Sequence, residues 1–394
     1  MHFAALIRYG FYPVVMTSTL GAVGLVLYGV LPRWPTLVVI ATLGIAAVAL
    51  LERLQPYERD WLRDHGDLRA DVLHGLVNLG LLAGTAYALN ALRGAMPVLT
   101  LWPTTWPLWM QLLLAGALID VALYAMHRFS HHAPWAWRLH AIHHSAERLY
   151  WLNGERRHPL SALLMAGPGL LVTVGLGAPP HILSAWLTLL SVQLAFQHAN
   201  LDYRVGPLRR WLGVAEVHRW HHKREYEDAQ VNFGEFFMLW DRLFGTFHDR
   251  PEPVRAGDVG SREERLPADY GRQLAWPFLH PFRGGDERTQ AFDQYLARGY
   301  SALRSGDKAQ AYALFERAHV LGQPHTWAHA RSHVAFLRWA LRYRDGRETL
   351  GQLLRMAAAG LFTWLWMPRG NTGGTTMGAF RSAPIPPELR RWIA

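Results

Sequence analysis

The sequence predicts an all-α protein: a polytopic bundle of membrane helices with a histidine-rich cap on its cytoplasmic side, then a small helical domain at the carboxy terminus. Three observations predict this. Six apolar runs of roughly 17–21 residues lie between positions 12 and 197, each about long enough to cross a hydrocarbon core. Histidines crowd the segments 127–144 and 218–222. From about residue 288 the chain changes character, with alanine and aromatic residues recurring on helical period.

The apolar runs are 12–32, 35–51, 72–92, 106–126, 160–178 and 181–197. The first is read as a span rather than a signal peptide, because it is long, lacks a small-residue cleavage site and is followed at once by a second span. The loop 52–71 carries Arg53, Arg59, Arg63 and Arg69, so the positive-inside rule puts it in the cytoplasm. Alternating from there, the fourth run re-enters the cytoplasm at His127. An out-and-back hairpin of the last two runs returns His198 and the basic segment 203–224 to the same side. The expected location is a bacterial inner membrane with every histidine cluster facing the cytoplasm.

Composition narrows the chemistry. The chain has 394 residues, a formal net charge of +10 and no cysteine. Disulfides and thiolate metal sites are excluded, so any metal is held by His, Asp or Glu. The arginines do not interleave with aromatics on one soluble module. The positive charge therefore fits anionic lipid better than nucleic acid.

Three clusters carry the chemistry: HRFSH with His127 and His131, HAIHH with His140, His143 and His144, and HRWHH with His218, His221 and His222. Helical residues three and four apart share a face, so such imidazoles can converge on one ion, and HxxHH can serve two adjacent metals. His132, five after His127, points elsewhere. Neutral imidazole is the commonest biological metal ligand, whereas clustered histidines without metal repel once protonated. Ligand type alone admits Fe, Zn, Cu or Ni. Trp135, Trp137, Trp151 and Trp220 lie among the clusters, lining a substrate slot or forming an interfacial belt.

This pattern resembles the fatty acid hydroxylase superfamily, also called the sterol desaturase family, whose members are membrane diiron oxygenases. The resemblance covers roughly residues 60–250. It rests on the HRFSH pair, on LHAIHHS at 139–145 and VHRWHH at 217–222, and on NFGEFFMLWDRLFGTF at 232–247 with its Asn232, Gly234, Trp240, Asp241, Phe244, Gly245 and Thr246. Asp120 and FQHAN at 196–200 also fit. Carried over, it implies iron ligands at His127, His131, His140, His143, His144, His198, His218, His221 and His222. His158, in RRHPL, is a further ligand or a hydrogen-bond donor to one. Four residues after His198, where some members have a second histidine, stands Asp202. His74, near Asp71 and Asn78, is read as a hydrogen bonder at a helix start.

The resemblance further implies two Fe ions, O2 as co-substrate, and hydroxylation or desaturation of a C–H bond in a lipid, sterol or other long apolar molecule. No Rossmann glycine fingerprint or haem-attachment motif is present, so electrons come from a separate donor such as a ferredoxin or reductase, for which the basic 203–224 segment offers a docking surface. Spacing alone leaves two alternatives open. One is a zinc-dependent membrane hydrolase using the same histidine cage. The other is a non-catalytic membrane scaffold.

The oxygenase-like part is expected to fill residues 1–250, with a linker over 251–287 rich in Pro, Gly and charge. Residues 288–394 form the last domain. ARGYSALRSGDKAQAYALFERAHVLG resembles a single tetratricopeptide-type helical pair. His325, His329 and His333 follow at i, i+4 and i+8, as a metal stripe or a polar stripe packed on neighbouring helices. HVLGQ…GNTGG resembles an uncharacterised bacterial domain, and an accessory role in substrate access or partner docking is expected. The apolar LFTWLWM at 361–367 should keep it from standing alone, so it is expected to pack on the cytoplasmic face.

Overall fold

The computed structural model describes residues 2–92, 99–261, 266–279, 286–323, 325–363, 368 and 370–392. Among them the only β pairing is three isolated bridges. Contacts divide the chain into two compact units: Met1–His127 with Arg138–Pro281, and Arg128–Trp137 with Phe282–Ala394.

All six apolar runs fold as helices: α1 (His2–Leu27), α2 (Thr36–Leu54), α3 (Leu68–Leu92), α4 (Leu108–His132), then, after the short α5 (Pro134–His144), α6 (Pro159–Gly175) and α7 (Pro180–His198). Ala4–Leu27, Thr36–Leu54 and Leu108–His132 are each long and apolar enough to cross a membrane, and the chain is an integral membrane protein. Large apolar side chains point outward from them, Leu6, Leu20, Leu43 and Leu50 each being more than half exposed. Lipid covers surfaces of that kind. α7 differs because it is central: twelve of its residues are buried, among them Gln193, Gln197 and His198.

Small residues set how closely these helices approach. A Cβ on Gly44 of α2 would meet Val192 of α7 at 2.8 Å, and one on Gly116 of α4 would meet the Trp186 ring of α7 at 2.6 Å. One on Gly169 of α6 would lie 3.0 Å from the Ile119 backbone. Close backbone approach replaces hydrophobic driving force between helices in lipid.

Outside the bundle, α8 (Ala215–His221), α9 (Leu239–Phe244) and α10 (Tyr270–Leu279) complete the first unit. The expected linker is therefore partly structured. Gln273 and Trp276 of α10 are buried, and the Gln273 side chain bonds the Pro267 carbonyl at 2.8 Å. Its Pro and Gly content hid a helix that packs on α3.

The segment 232–246 is shaped by two buried carboxylates. Asp120 of α4 accepts from the backbone N–H groups of Phe236 (2.9 Å) and Phe237 (3.1 Å) and from Trp240 Nε1 (2.9 Å). Asp241 accepts from Phe233 N (2.8 Å), Gly234 N (2.7 Å) and Thr246 Oγ1 (2.6 Å). Asn232 sits at φ 53°, a conformation asparagine tolerates, and its amide bonds the Val217 and His248 carbonyls at 2.9 and 2.8 Å.

The second unit is a helical array: α11 (Asp286–Ser305), α12 (Lys308–Gly322), α13 (Thr326–Arg342) and α14 (Gly346–Phe362). Two pairs are present where the sequence reading found one. Asp307 caps α12 by accepting from Gln310 N at 2.9 Å, and Asp345 caps α14 by accepting from Glu348 N at 2.9 Å. Phe292, Phe315 and Phe336 fill their shared core. Residues 364–367 of the predicted LFTWLWM patch lie outside the described residues.

Gly234 admits no side chain, since a Cβ would meet the Phe237 carbonyl oxygen and lie 2.7 Å from Asp241 Oδ2. Gly234→Ala should cost about 1–3 kcal/mol through this overpacking. A thermal scan in detergent should show a lowered midpoint, and an unchanged one would contradict this account of the turn.

Candidate metal centre

The three clusters arrive on different elements. His127 and His131 occupy the last turns of α4, His140, His143 and His144 the second half of α5, and His218 and His221 the end of α8, with His222 its C-cap. His198 is the last residue of α7. All nine are at most 1–2 % exposed.

They gather into two groups. His127, His131, His140, His144 and His221 form one, and His143, His198, His218 and His222 the other; within each, one nitrogen per residue lies within 4.8 Å of every other. The groups adjoin, with the His144 and His222 rings 4.5 Å apart between centroids. The HxxHH pattern explains the division. His140 and His144, four apart, face the first group and His143 the second, while His218 and His222 face the second and His221 the first.

The second group tests directly for a cation. His218 Nε2 lies 3.1 Å from His198 Nε2 and 3.1 Å from His222 Nε2. One imidazole nitrogen carries either one lone pair or one hydrogen, so a nitrogen between two others satisfies only one contact. The other contact sets like against like. Metal–nitrogen bonds of about 2.0–2.1 Å put neighbouring ligand atoms about 3.0–3.4 Å apart, so the spacing fits an ion. The Nδ1 atoms of His143, His218 and His222 are buried without a hydrogen-bond partner among the described residues.

Backbone carbonyls set the tautomers of the first group. His127 Nδ1 bonds the Phe233 carbonyl at 2.8 Å, and His221 Nδ1 bonds the Val231 carbonyl at 2.8 Å. A carbonyl only accepts, so each Nδ1 holds the proton and each Nε2 keeps its lone pair, as metal-bound histidines require. In the second group His198 Nδ1 meets Asn153 Oδ1 at 3.3 Å.

Burial holds these imidazoles neutral. His140 is held well below the ordinary imidazole range by burial and then by His127 and His221; His143 by burial and His222; and His218 by burial and His198.

The other sequence candidates fall outside both groups. His158 caps α6, its Nδ1 accepting from Leu160 N at 3.1 Å and its Nε2 meeting the Leu274 carbonyl at 3.3 Å. A ring engaged at both nitrogens has none left for an ion. His74 bonds the Arg157 carbonyl (3.1 Å) and Gln273 Oε1 (2.8 Å), the hydrogen-bonding role expected of it. Asp202 pairs with Arg8. The basic segment is less open than its composition implied: Arg219 is buried with its guanidinium 3.6 Å from the Tyr57 ring centroid, and Arg204 and Arg209 pair with Glu216 and Asp249.

Glu235 was not legible as a site residue. It is 1 % exposed, with Oε1 3.4 Å from His127 Nδ1 and Oε2 3.8 Å from Arg157 Nη2. It also lines a cavity of about 570 Å³ whose remaining wall is largely apolar, including Leu79, Leu82, Leu123, Met165 and Leu190, with Asn78, Glu155 and Arg157 at its polar part. An apolar chamber thus reaches the side chain next to the first histidine group.

Residues 112–246 match the fatty acid hydroxylase family. Ornithine lipid hydroxylase OlsE of Rhizobium tropici is 33 % identical over 255 residues, spanning 62 % of this chain and 76 % of that protein. The chain belongs to the fatty acid hydroxylase family. It is an oxidoreductase with a metal site. Alkylglycerol monooxygenase of Danio rerio is 29 % identical over 160 residues, 40 % of this chain and 34 % of that protein. Methylsterol monooxygenase 1 of Danio rerio is 28 % identical over 178 residues, 44 % of this chain and 58 % of that protein. The match thus spans about a third and somewhat over half of these two relatives. Residues 286–393 match a protein family of unknown function, DUF3703. No solved structure matches the chain significantly.

Buried neutral histidines make stability depend on acid. Below about pH 6.5 the unfolded chain binds protons that the folded chain refuses. Stability is complete above that value and falls as pH drops, by roughly 1.4 kcal/mol per pH unit for each such histidine. The thermal midpoint of metal-stripped protein should therefore fall between pH 7 and 5, and less steeply in a His140→Gln, His218→Gln variant. Equal slopes would refute the assignment of buried neutral rings.

Proposed function

We propose that this chain is a membrane-bound diiron monooxygenase that uses O2 to hydroxylate a C–H bond in the apolar portion of a membrane lipid. One observation carries the reading: two adjoining groups of five and four buried imidazoles beside a cavity of about 570 Å³ with an apolar wall. The nine histidines are proposed as the ligands of two iron ions. An all-nitrogen donor set suits iron but not calcium or magnesium. Zinc would bind the same rings. Iron is preferred because the relatives are named as hydroxylases and monooxygenases, which require a redox-active centre.

When bound, the iron pair supplies activation of O2 and oxidation of an unactivated C–H bond. The chain's own residues do the rest. Leu79, Leu82, Met165 and Leu190 bind the apolar part of the substrate by burying it. The enclosing helices keep bulk water from the reacting carbon. Arg157 holds the Glu235 carboxylate by charge, and Glu235 stands against the His127 imidazole, so this pair positions that ring. Burial raises the Glu235 carboxyl while Arg157 lowers it.

Electrons come from a separate donor protein of the ferredoxin or reductase class, because residues 1–281 offer no nucleotide-binding glycine fingerprint or haem-attachment motif. The arginine-bearing loop 52–71 sets the orientation, with the histidine groups on the cytoplasmic side of a bacterial inner membrane.

Protein purified from its own host should contain about two irons per chain, and a His144→Ala, His222→Ala variant, which breaks both groups, should lose them. Full iron occupancy in that variant would sink the ligand assignment. Under labelled O2 the hydroxyl of the product lipid should carry the label, whereas label arriving only from water would favour hydrolysis. Ala166→Trp, which fills the cavity, should lower kcat/KM at least tenfold with metal content unchanged. Wild-type turnover in that variant would place the substrate elsewhere.

A further inference from the structure

A third histidine group lies wholly within the second unit. His319 of α12 and His329 and His333 of α13 bring one ring nitrogen each within 4.8 Å of one another, and they are 2 %, 8 % and 2 % exposed. The sequence stripe suggested His325 in place of His319. His325 falls outside because it precedes the first residue of α13, so its ring does not continue the helical row.

The hydrogen bonds around the group settle which atoms face inward. His319 Nδ1 bonds the Asn371 carbonyl at 2.9 Å. His333 Nδ1 bonds Gln352 Oε1 at 2.6 Å. The Gln352 amide orientation is fixed in turn, since its Nε2 donates to Glu348 Oε1 (2.7 Å) and the Gly373 carbonyl (2.8 Å). Both partners of these rings are acceptors, so both Nδ1 atoms carry hydrogen and both Nε2 atoms carry bare lone pairs.

His329 Nε2 stands between them, 3.0 Å from His319 Nε2 and 3.1 Å from His333 Nε2. Its ring is held from behind by Thr363 Oγ1 at 2.6 Å. Even if His329 Nε2 carries a hydrogen, it satisfies one neighbour and leaves the other lone pair buried and unmet. A core built only from hydrogen bonds would not repeat that defect at its centre. An ion about 2.0–2.1 Å from each nitrogen removes it, and the observed spacings fit neighbouring ligands of such an ion. Outward Nδ1–H groups held by oxygen acceptors are what orient metal-binding imidazoles.

The glycine-rich segment belongs to the same construction. Gly373, at φ 83°, passes so close to His319 that a Cβ would collide with the ring, and a Cβ on Gly374 would collide with the Tyr312 hydroxyl. Asn371 and Gly373 supply the carbonyls that hold His319 and Gln352. The two halves of HVLGQ…GNTGG thus meet at His319.

We propose that His319, His329 and His333 bind a divalent late-transition ion of the zinc class. Three neutral imidazoles with neither carboxylate nor thiolate in the group exclude calcium and magnesium by donor type. Three protein ligands, the number among the described residues, are also the number in zinc sites that keep a position for water or an exogenous ligand.

The test uses the full chain in detergent, stripped with chelator, reloaded with Zn2+ and desalted. Each of His319→Gln, His329→Gln and His333→Gln should hold one zinc fewer per chain than wild type. The difference is independent of which metal the other histidine groups take, so it stands or falls apart from the function proposed above. Equal zinc content in wild type and all three variants would overturn the site. If the variants fail to fold, wild type alone decides: with Cu2+, ascorbate and air, peptide mapping should find oxidised His319, His329 or His333, and prior zinc loading should protect them. Absence of oxidation at all three, with oxidation at other histidines, would equally overturn it.

Discussion

Close approach of bare imidazole nitrogens is the constraint on which the nine-histidine centre depends. Uncharged rings do not gather nine deep in a buried volume by hydrophobic burial alone, because each brings two polar nitrogens that need partners. Here His218 Nε2 has two ring nitrogens at 3.1 Å and can bond only one. The arrangement needs something to hold the rings, and an ion among them would balance the lone pairs. Much of the polar structure outside the bundle is that scaffold. Asp120 and Asp241 bend the 232–246 segment so that the Phe233 carbonyl meets His127, and Asn232 ties the same segment to the Val217 carbonyl beside His218.

A second scaffold works from the other side. Arg148 and Arg156 pair with Asp67 at 2.7 and 3.1 Å, and the Tyr150 hydroxyl donates to Asp71 at 2.7 Å. These bonds tie the stretch after the second histidine cluster to the start of α3. Asn153, which meets His198, lies within that stretch. Buried ion pairs are weak sources of net stability because desolvation opposes them, but breaking one is costly. Their use here is to fix a position, which a metal site needs to within tenths of an ångström and which lipid-facing helices alone do not supply.

Spacing made part of this legible. HxxHH divides its histidines between two faces of a short helix, and the structure splits both copies that way. The six apolar runs, each expected to span a membrane, all lie in helices, of which three among the described residues are long and apolar enough to cross. The rest depended on contacts remote in sequence. Glu235 was an ordinary glutamate in an aromatic run until the bend from Asp120, more than a hundred residues earlier, turned it toward His127. α10 was hidden because Pro and Gly dominate the surrounding composition, although its Gln273 reaches His74. His158 matched a motif, yet Pro159 starts α6 and makes the preceding histidine a cap. His325 kept the right period but not the helix that would give that period meaning.

The nine-histidine centre and the three-histidine group solve the same problem with different tolerance for error. In the first, the proposed ligands come from α4, α5, α7 and α8, so the cluster forms only once distant elements have packed and loop 231–233 has been bent into place. In the second, His329 and His333 are one turn apart on a single helix and His319 lies in the last turn of the helix before it. Gln352, Thr363 and the glycine-rich segment come from farther along the chain, and Gly373 is the residue whose missing side chain lets that segment arrive. A site built mainly from a local helical pair costs little loop-closure entropy to assemble. The first arrangement instead spans several helices, and the same spread of elements leaves room between α3, α4, α6 and α7 for an apolar chamber. The wall of that chamber includes Glu235, whose carboxylate stands 3.4 Å from the His127 imidazole, so the helices that carry the histidines also shape the space next to them.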